Sequence, residues 1–270
     1  MSKDWEEKFR PEDLQRIRGF RLMDDDFMSK CFEENIECTE LVLQIVLGRD
    51  DLKVEKVAIQ HQLKNLQGRS IIFDIYATDH AGKRYNVEIQ QESEGASPKR
   101  ARYHSGLLDM NTLNPGQDYE ELPESYVIFI TRDDVPGKGL PIYHADRVIE
   151  ETGDMFGDGA HIIYVNSSIQ NEDTDLGRLM HDLHCKNADE MYSEILSKRV
   201  SELKETEGET GSMCEALEEL MKEMRQECEI KRTQKNGKSS FSEGNVNKRN
   251  RRSHQRKRSH RRELVGAAGR

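Results

Sequence analysis

The segment from Ser70 to Gln91 constrains the fold more than any other part of the chain. Ile71, Phe73, Ile75 and Ala77 alternate with Ile72, Asp74, Tyr76 and Thr78, and Tyr85, Val87, Ile89 and Gln91 alternate with Asn86, Glu88 and Gln90. A period of two residues is that of a strand with one face buried. Asp79-His80-Ala81-Gly82-Lys83 between the two runs has the Asp and Gly content of a hairpin loop. One antiparallel register pairs Phe73 with Ile89, Ile75 with Val87 and Ala77 with Tyr85, so that every pair on the first face is apolar. The same register sets Ile72 against Gln90, Asp74 against Glu88 and Tyr76 against Asn86 on the other face.

Other elements extend this hairpin into a sheet. A strand from about Val54 to Leu63 precedes it, Tyr126 to Ile130 has the unbroken apolar character of a buried strand, and Ile142 to Ile149 and His161 to Val165 add two more. Helical spacing begins at Asp24, with Phe27, Cys31 and Phe32 on one face and Asp24 to Asp26 supplying charge suited to a helix N-terminus. A firmer helix carries Leu41, Val42, Ile45 and Val46, with Thr39 as its expected N-cap and Gly48 at its end. Ser97-Pro98 opens another, through Tyr103, Leu107 and Leu108 to about Leu113. Thr174 to Lys186 and Ala188 to Val200 are again helical, as is the stripe Cys214, Leu217, Leu220, Met221 and Met224. The order predicts a mixed α/β sheet with helices packed on it.

Charge divides the chain in two. Residues 231 to 270 hold 14 Lys or Arg and 2 Asp or Glu, whereas the first 230 hold 27 and 49. An acidic body repels a polyanion at long range, so binding nucleic acid requires a local basic patch, a metal ion or the tail. The tail has few apolar groups, without period, and is expected to stay disordered. The division expected is an N-terminal arm at 1–23, an α/β domain at 24–170, a helical extension at 171–230 and the basic tail at 231–270.

Several classes are excluded. Leu41 to Leu47, the longest apolar-dominated stretch, falls far short of the ~20 residues of a membrane span. The charged N-terminus lacks the apolar stretch of a secretory signal, and five cysteines without a CxxC pair fit reduced thiols, so a cytoplasmic location is expected. There is no glycine-rich phosphate loop of the Walker type.

The Asp74 and Glu88 pair carries the chemistry. Like charges opposite one another in a sheet repel, and either a divalent cation or a retained proton relieves them. A solvated face on which both acids are simply wet is the bland alternative.

Beyond the alternation itself, Ser70-Ile71-Ile72-Phe73-Asp74-Ile75-Tyr76-Ala77, Gly82 and Tyr85-Asn86-Val87-Glu88-Ile89-Gln90 resemble the core motif of the PD-(D/E)XK nuclease family transposases. So do Asp26-Phe27, Arg100-Ala101-Arg102-Tyr103-His104, the loop from Gly116 to Leu122, and Gly177-Arg178-Leu179-Met180-His181-Asp182. The resemblance implies a restriction-endonuclease-like core whose Asp74, Glu88 and Ile89 carbonyl bind Mg²⁺ (or Mn²⁺), with DNA as substrate. Gln90 stands where most of the wider superfamily carries Lys. Gln orients a water by hydrogen bonds but cannot supply positive charge, so more of the activation falls on the metal. Glu40, by its place on the first core helix, is the acid expected to complete the site. Lys83 and Arg84 at the hairpin tip and Lys99, Arg100 and Arg102 on the next helix are expected to hold DNA phosphates.

The reading is therefore a metal-dependent DNA endonuclease of mobile-element type, against a rival that keeps the fold and binds DNA or a partner without turnover; a homodimer is left open. His181, His184 and Cys185 lack a second ligand pair for zinc and read as surface residues, and nothing pairs His144 with a nucleophile. The compositional break near Gly237 also fits a frameshifted end. Deleting residues 237 to 270 is therefore expected to leave the thermal melt of the body unchanged, and a large fall in Tm on truncation would contradict this.

Overall fold

In a computed structural model the chain is described over residues 4–65, 68–91 and 93–215, and the expected last helix and basic tail lie outside them. Residues 1–214 form one unit. Its sheet has six strands: β1 (Val54–Leu63), β2 (Ile71–Asp79), β3 (Arg84–Gln90), β4 (Ser125–Thr131), β5 (Ile142–Ala145) and β6 (Ala160–Asn166). The spatial order is β1-β2-β3-β4-β6-β5. The first three strands run antiparallel, β3, β4 and β6 run parallel, and β5 closes the far edge antiparallel. Among the described residues the sheet is accompanied by α1 (Pro11–Gly19), α2 (Asp25–Phe32), α3 (Ile36–Leu47), α4 (Pro98–Met110), α5 (Asp175–His184) and α6 (Glu194–Glu205), and the chain is helical again over 207–215. This is the mixed α/β architecture expected of a restriction-endonuclease-like core. Among the described residues, no helix is long and apolar enough to cross a membrane.

The helix ends follow local chemistry. Ser97 accepts from the Arg100 N–H, and Pro98 fills the first position of α4, where no donor is lost. Gly48 closes α3 in the left-handed region at φ 61°, a conformation that a Cβ would penalise. The cap at the other end of α3 is Asn35, whose Oδ1 accepts from the Cys38 N–H at 2.9 Å. Thr39, the expected cap, lies inside the helix with its hydroxyl donating to the Asn35 carbonyl.

Position explains why β3 is buried throughout its interior. β2 and β4 pair with its two edges, α4 lies over the neighbouring β4 and β6, and side chains on both of its faces from Tyr85 to Ile89 are buried. Asn86 and Glu88 are buried as completely as Tyr85, Val87 and Ile89. The bland alternative of a wet face is thereby overturned.

The hairpin register holds for Ile75–Val87, Tyr76–Asn86, Ala77–Tyr85 and Thr78–Arg84, and the ladder stops there. On the other side of β2, His61 pairs with Phe73 and Ile59 with Ile75, but Gln60, at φ 50°, and Asp74 drop out. Strand parity changes at this break. Ile71 and Phe73 pack with Leu107 and Leu108 of α4, and the Phe73 ring lies beside Tyr76, which was expected on the opposite face. The continuous alternation read from the sequence is thus corrected: β2 turns over at Asp74.

Helices α2 and α6 pack together, with Arg199 of α6 donating to the Lys30 and Cys31 carbonyls, and Lys204 ties α6 to the segment before α2. Lys204 Nζ donates to the carbonyls of Phe20 at 2.6 Å, Lys186 at 2.5 Å and Arg18 at 3.3 Å, and lies 4.8 Å from the centre of the Phe27 ring. Burial holds the ammonium pKa down to about 8. Lys204→Met fills the same space but leaves three carbonyls without this donor, which is expected to cost about 3 kcal/mol in chemical denaturation. The unfolded chain binds the Lys204 proton more tightly than the folded one. Wild-type stability should therefore rise relative to the variant as pH climbs from about 8 toward the ordinary lysine range, and equal pH slopes would contradict this.

Candidate active site

The break in β2 builds the site. Freed from the ladder, the Asp74 carboxylate accepts the Ile89 N–H at 3.1 Å, and the Asp74 N–H points at Glu88 Oε1 at 3.4 Å. A side chain here stands where a main-chain partner would otherwise be. The two expected acids are thus brought together at the point where the hairpin strands part.

Glu88 is fully buried and enclosed by donors. Arg100 Nη2 lies 3.0 Å from its Oε2, His104 Nδ1 lies 3.7 Å from its Oε1, and the Asn86 amide also hydrogen-bonds to it. Arg100 donates further to the Gly95 carbonyl at 2.7 Å and, through Nε, to His104 Nε2 at 3.2 Å. A guanidinium has only donors, so His104 Nε2 must accept and the ring proton sits on Nδ1. Burial, with help from the charges of Arg100 and Arg69, lowers the His104 pKa to about 4 and keeps the ring neutral. Nδ1 and the Asn86 Nδ2, 3.2 Å apart, are then both donors, and the Glu88 carboxylate is the acceptor both can share.

These donors do not fully offset burial. Desolvation first and the Asp74 charge second raise the Glu88 pKa well above the usual carboxylate range, with Arg100 acting against them. Asp74 is raised as well, by burial and by the charge of Asp25, while its bond from Ile89 pulls the other way. Asp25 and Asp26, in the first turn of α2, are raised by desolvation and by their acidic neighbours. Gln91 holds that turn beside the end of β3, because its Nε2 donates to Asp24 Oδ1 at 2.7 Å and to the Met23 carbonyl at 2.9 Å.

Glu40, the acid expected to complete the site, has other partners in the structure. Glu40 accepts from Lys53 Nζ at 2.7 Å, the Val54 N–H at 2.9 Å and Gln44 at 3.3 Å, which ties α3 to the start of β1. Val54 pairs with Asp79, five residues along β2 from Asp74, or about 16 Å at strand rise. The structure therefore does not bring Glu40 to Asp74 and Glu88; the acid whose charge reaches Asp74 is Asp25. The run Asp24-Asp25-Asp26, read as helix N-terminal charge and, at Asp26-Phe27, as part of the family resemblance, was the available signal.

The basic residues divide similarly. Arg100 turns inward to Glu88, whereas Lys99 and Arg102 are exposed on α4. Lys83 pairs with Glu124 at 2.5 Å and Arg84 donates to the Tyr76 hydroxyl at 2.8 Å, both at the far end of β3 from Glu88. Gln90 shares the strand face of Glu88 and approaches the loop before α4 so closely that a Cβ on Gly95 would lie 2.2 Å from its Oε1. His144 is exposed.

The donor set suits a hard dication. Asp74 and Glu88 place two carboxyls together beside the Arg100 guanidinium, with the charge of Asp25 felt at Asp74, and all the candidate ligand atoms are oxygens, as Mg²⁺ and Mn²⁺ require. No curated protein and no solved structure matches the chain. The profile of the PD-(D/E)XK nuclease family transposases matches residues 33–253, a span that contains the hairpin, α4 and α5 and begins after Asp25. With a mixed sheet whose two acids meet at the broken hairpin, and with a match over most of its length, this chain belongs to the PD-(D/E)XK nuclease family transposases.

Proposed function

We propose that this protein hydrolyses DNA phosphodiester bonds as a divalent-metal-dependent endonuclease of mobile-element type. The observation that carries the reading is the contact of Asp74 with a fully buried Glu88, both carboxyls held above their ordinary pKa by desolvation. An acid pair in that condition is poised to exchange its protons for a cation. Asp74, Glu88 and the Ile89 carbonyl would hold Mg²⁺ or Mn²⁺, with Asp25 completing the charge. The bound cation supplies Lewis acidity and offsets charge on the phosphate oxygens.

The chain's own residues do the rest. Arg100, His104 and Asn86 fix the Glu88 carboxylate so that it does not turn away. Gln90 offers an amide that accepts from and donates to a water, and so orients the nucleophile without charging it. Lys99 and Arg102 reach outward from the helix that carries Arg100, where they can grip the phosphates on either side of the bond. Lys83 and Arg84 are spent on internal partners and drop out of this role.

A noncatalytic DNA-binding reading is favoured by one feature, the Arg100 ion pair that already compensates Glu88. Plasmid nicking separates the two. Wild-type protein with Mg²⁺ or Mn²⁺ is expected to nick supercoiled DNA, and Asp74→Asn and Glu88→Gln each to reduce the rate by about 10³-fold or more, since they remove charge a cation needs. DNA retention without nicking would favour the rival. Equal nicking by wild type and Asp74→Asn would point to a contaminant and sink the assignment.

Two further outcomes follow from the charges. Lys99→Ala and Arg102→Ala are expected to weaken DNA binding evenly across sequences and to lower the slope of log K against log salt by about 1 each. Because Asp74 and Glu88 bind protons more tightly folded than unfolded, the metal-free protein should lose stability as pH rises from the ordinary carboxylate range through their raised pKa values. Mg²⁺ must displace those protons, so its effect on Tm should grow across the same window. Melting indifferent to Mg²⁺ at every pH would contradict the site.

A further inference from the structure

A second group of ligand-bearing side chains lies at the end of α5, on different residues from the acid pair. His181, Asp182 and Cys185 each offer one ligand atom, and the three atoms lie within 4.8 Å of one another. His181 and Cys185 are one helical turn apart and share a face, with Sγ 3.4 Å from Nδ1. Asp182 is held from outside the helix, because its two oxygens accept the N–H groups of Tyr192 and Ser193, each at 2.8 Å. The geometry points to a structural site for a borderline-soft dication of the zinc class, held by His181, Asp182 and Cys185.

The chemistry of the donors selects the ion. One nitrogen, one oxygen and one sulfur form the mixed set that zinc accepts and that Mg²⁺, which demands oxygen, does not. Metal-ligand bonds of 2.0–2.3 Å place tetrahedral ligand atoms about 3.5 Å apart, so closure asks for movements of about 1 Å. His181 can supply them, since its side chain is partly exposed and its ring meets Tyr192 only edge-on. Asp182 need not move. Its two N–H bonds use only part of the capacity of a carboxylate, and bonds of this kind fix metal-binding groups in orientation.

Burial suits a structural ion, because Cys185 and Asp182 keep the ligand atoms away from bulk water. On binding, the thiol releases its proton to solvent and the thiolate sulfur bonds the metal, with no change of oxidation state. The site would also lock a junction of the fold. Ser193, whose N–H is held by Asp182, is the N-cap of α6, so a metal at Asp182 fastens the end of α5 to the start of α6.

Cobalt(II), a coloured stand-in for zinc, tests the site on the reduced, metal-free full chain. One equivalent is expected to produce a near-ultraviolet thiolate-to-cobalt band that zinc then bleaches. Cys185→Ala and His181→Phe should each abolish the band, and Asp74→Ala should keep it, which separates this site from the proposed catalytic one. Zinc should raise the Tm of Asp74→Ala by several degrees and leave Asp74→Ala combined with either site variant unmoved. No thiolate band in wild type, a band that survives Cys185→Ala, or one that keeps its affinity in His181→Phe would overturn the proposal. If Cys185→Ala fails to fold, His181→Phe decides alone, because it removes both ring nitrogens and keeps the aromatic edge against Tyr192.

Discussion

A carboxylate with no exposed surface at the centre of a sheet is the constraint around which this structure is arranged. Burying Glu88 alone would be costly, and the surrounding elements each answer part of that cost. Arg100 brings a positive charge, His104 and Asn86 bring neutral donors, and Asp74 turns its own N–H toward the same group. Arg100 and His104 can act only because α4 lies across β4 and β6 at the depth seen here. Ala96 and Ala101, small and fully buried against Val127, Phe129 and Tyr164, let the helix come that close.

The donors around Glu88 do not offset its burial. With Arg100 in place the carboxyl still favours its proton, and the negative charges of Asp74 and Asp25 add to the effect. A pair left in that state is where the proposed cation would be taken up. Gln90 fits this economy. A lysine there would complete the compensation from within the chain, while the amide leaves the deficit to be met from outside.

Much of the fold was legible because its signals are local. The bounds of β1 and β3, the Ser97-Pro98 start of α4 and the Gly48 stop of α3 each depend on residues a few positions apart, and each stands where the sequence placed it. The hairpin register was legible for a related reason, since one pairing alone buries Ile75, Val87, Ala77 and Tyr85 together. What escaped were events that depend on distant partners. The turn-over of β2 arises from a side chain of one strand bonding the backbone of the next and from a positive φ at Gln60, a residue type that carries no warning of it. The inward turn of Arg100 escaped too, because a helix in sequence does not say which of its cations faces the sheet.

Glu40 and Asp25 differ in where the sheet receives them. Both residues sit on helices that precede the sheet, and their spacing in sequence favoured neither. What separates them is which end of β2 each helix meets: α3 is anchored by Glu40 and Gln44 to the start of β1, beside the hairpin tip, while Gln91 pulls the start of α2 to the end where the hairpin strands part. Because β1 and β2 run antiparallel, an acid fastened at the beginning of β1 is necessarily near the end of β2, a strand's half-length from Asp74. Sheet direction thus decides which acid can join the pair, and Gln91, directly after the Glu88 and Gln90 positions, couples the end of β3 to that choice. The acid pair and the start of α2 are thus linked through one short stretch of chain.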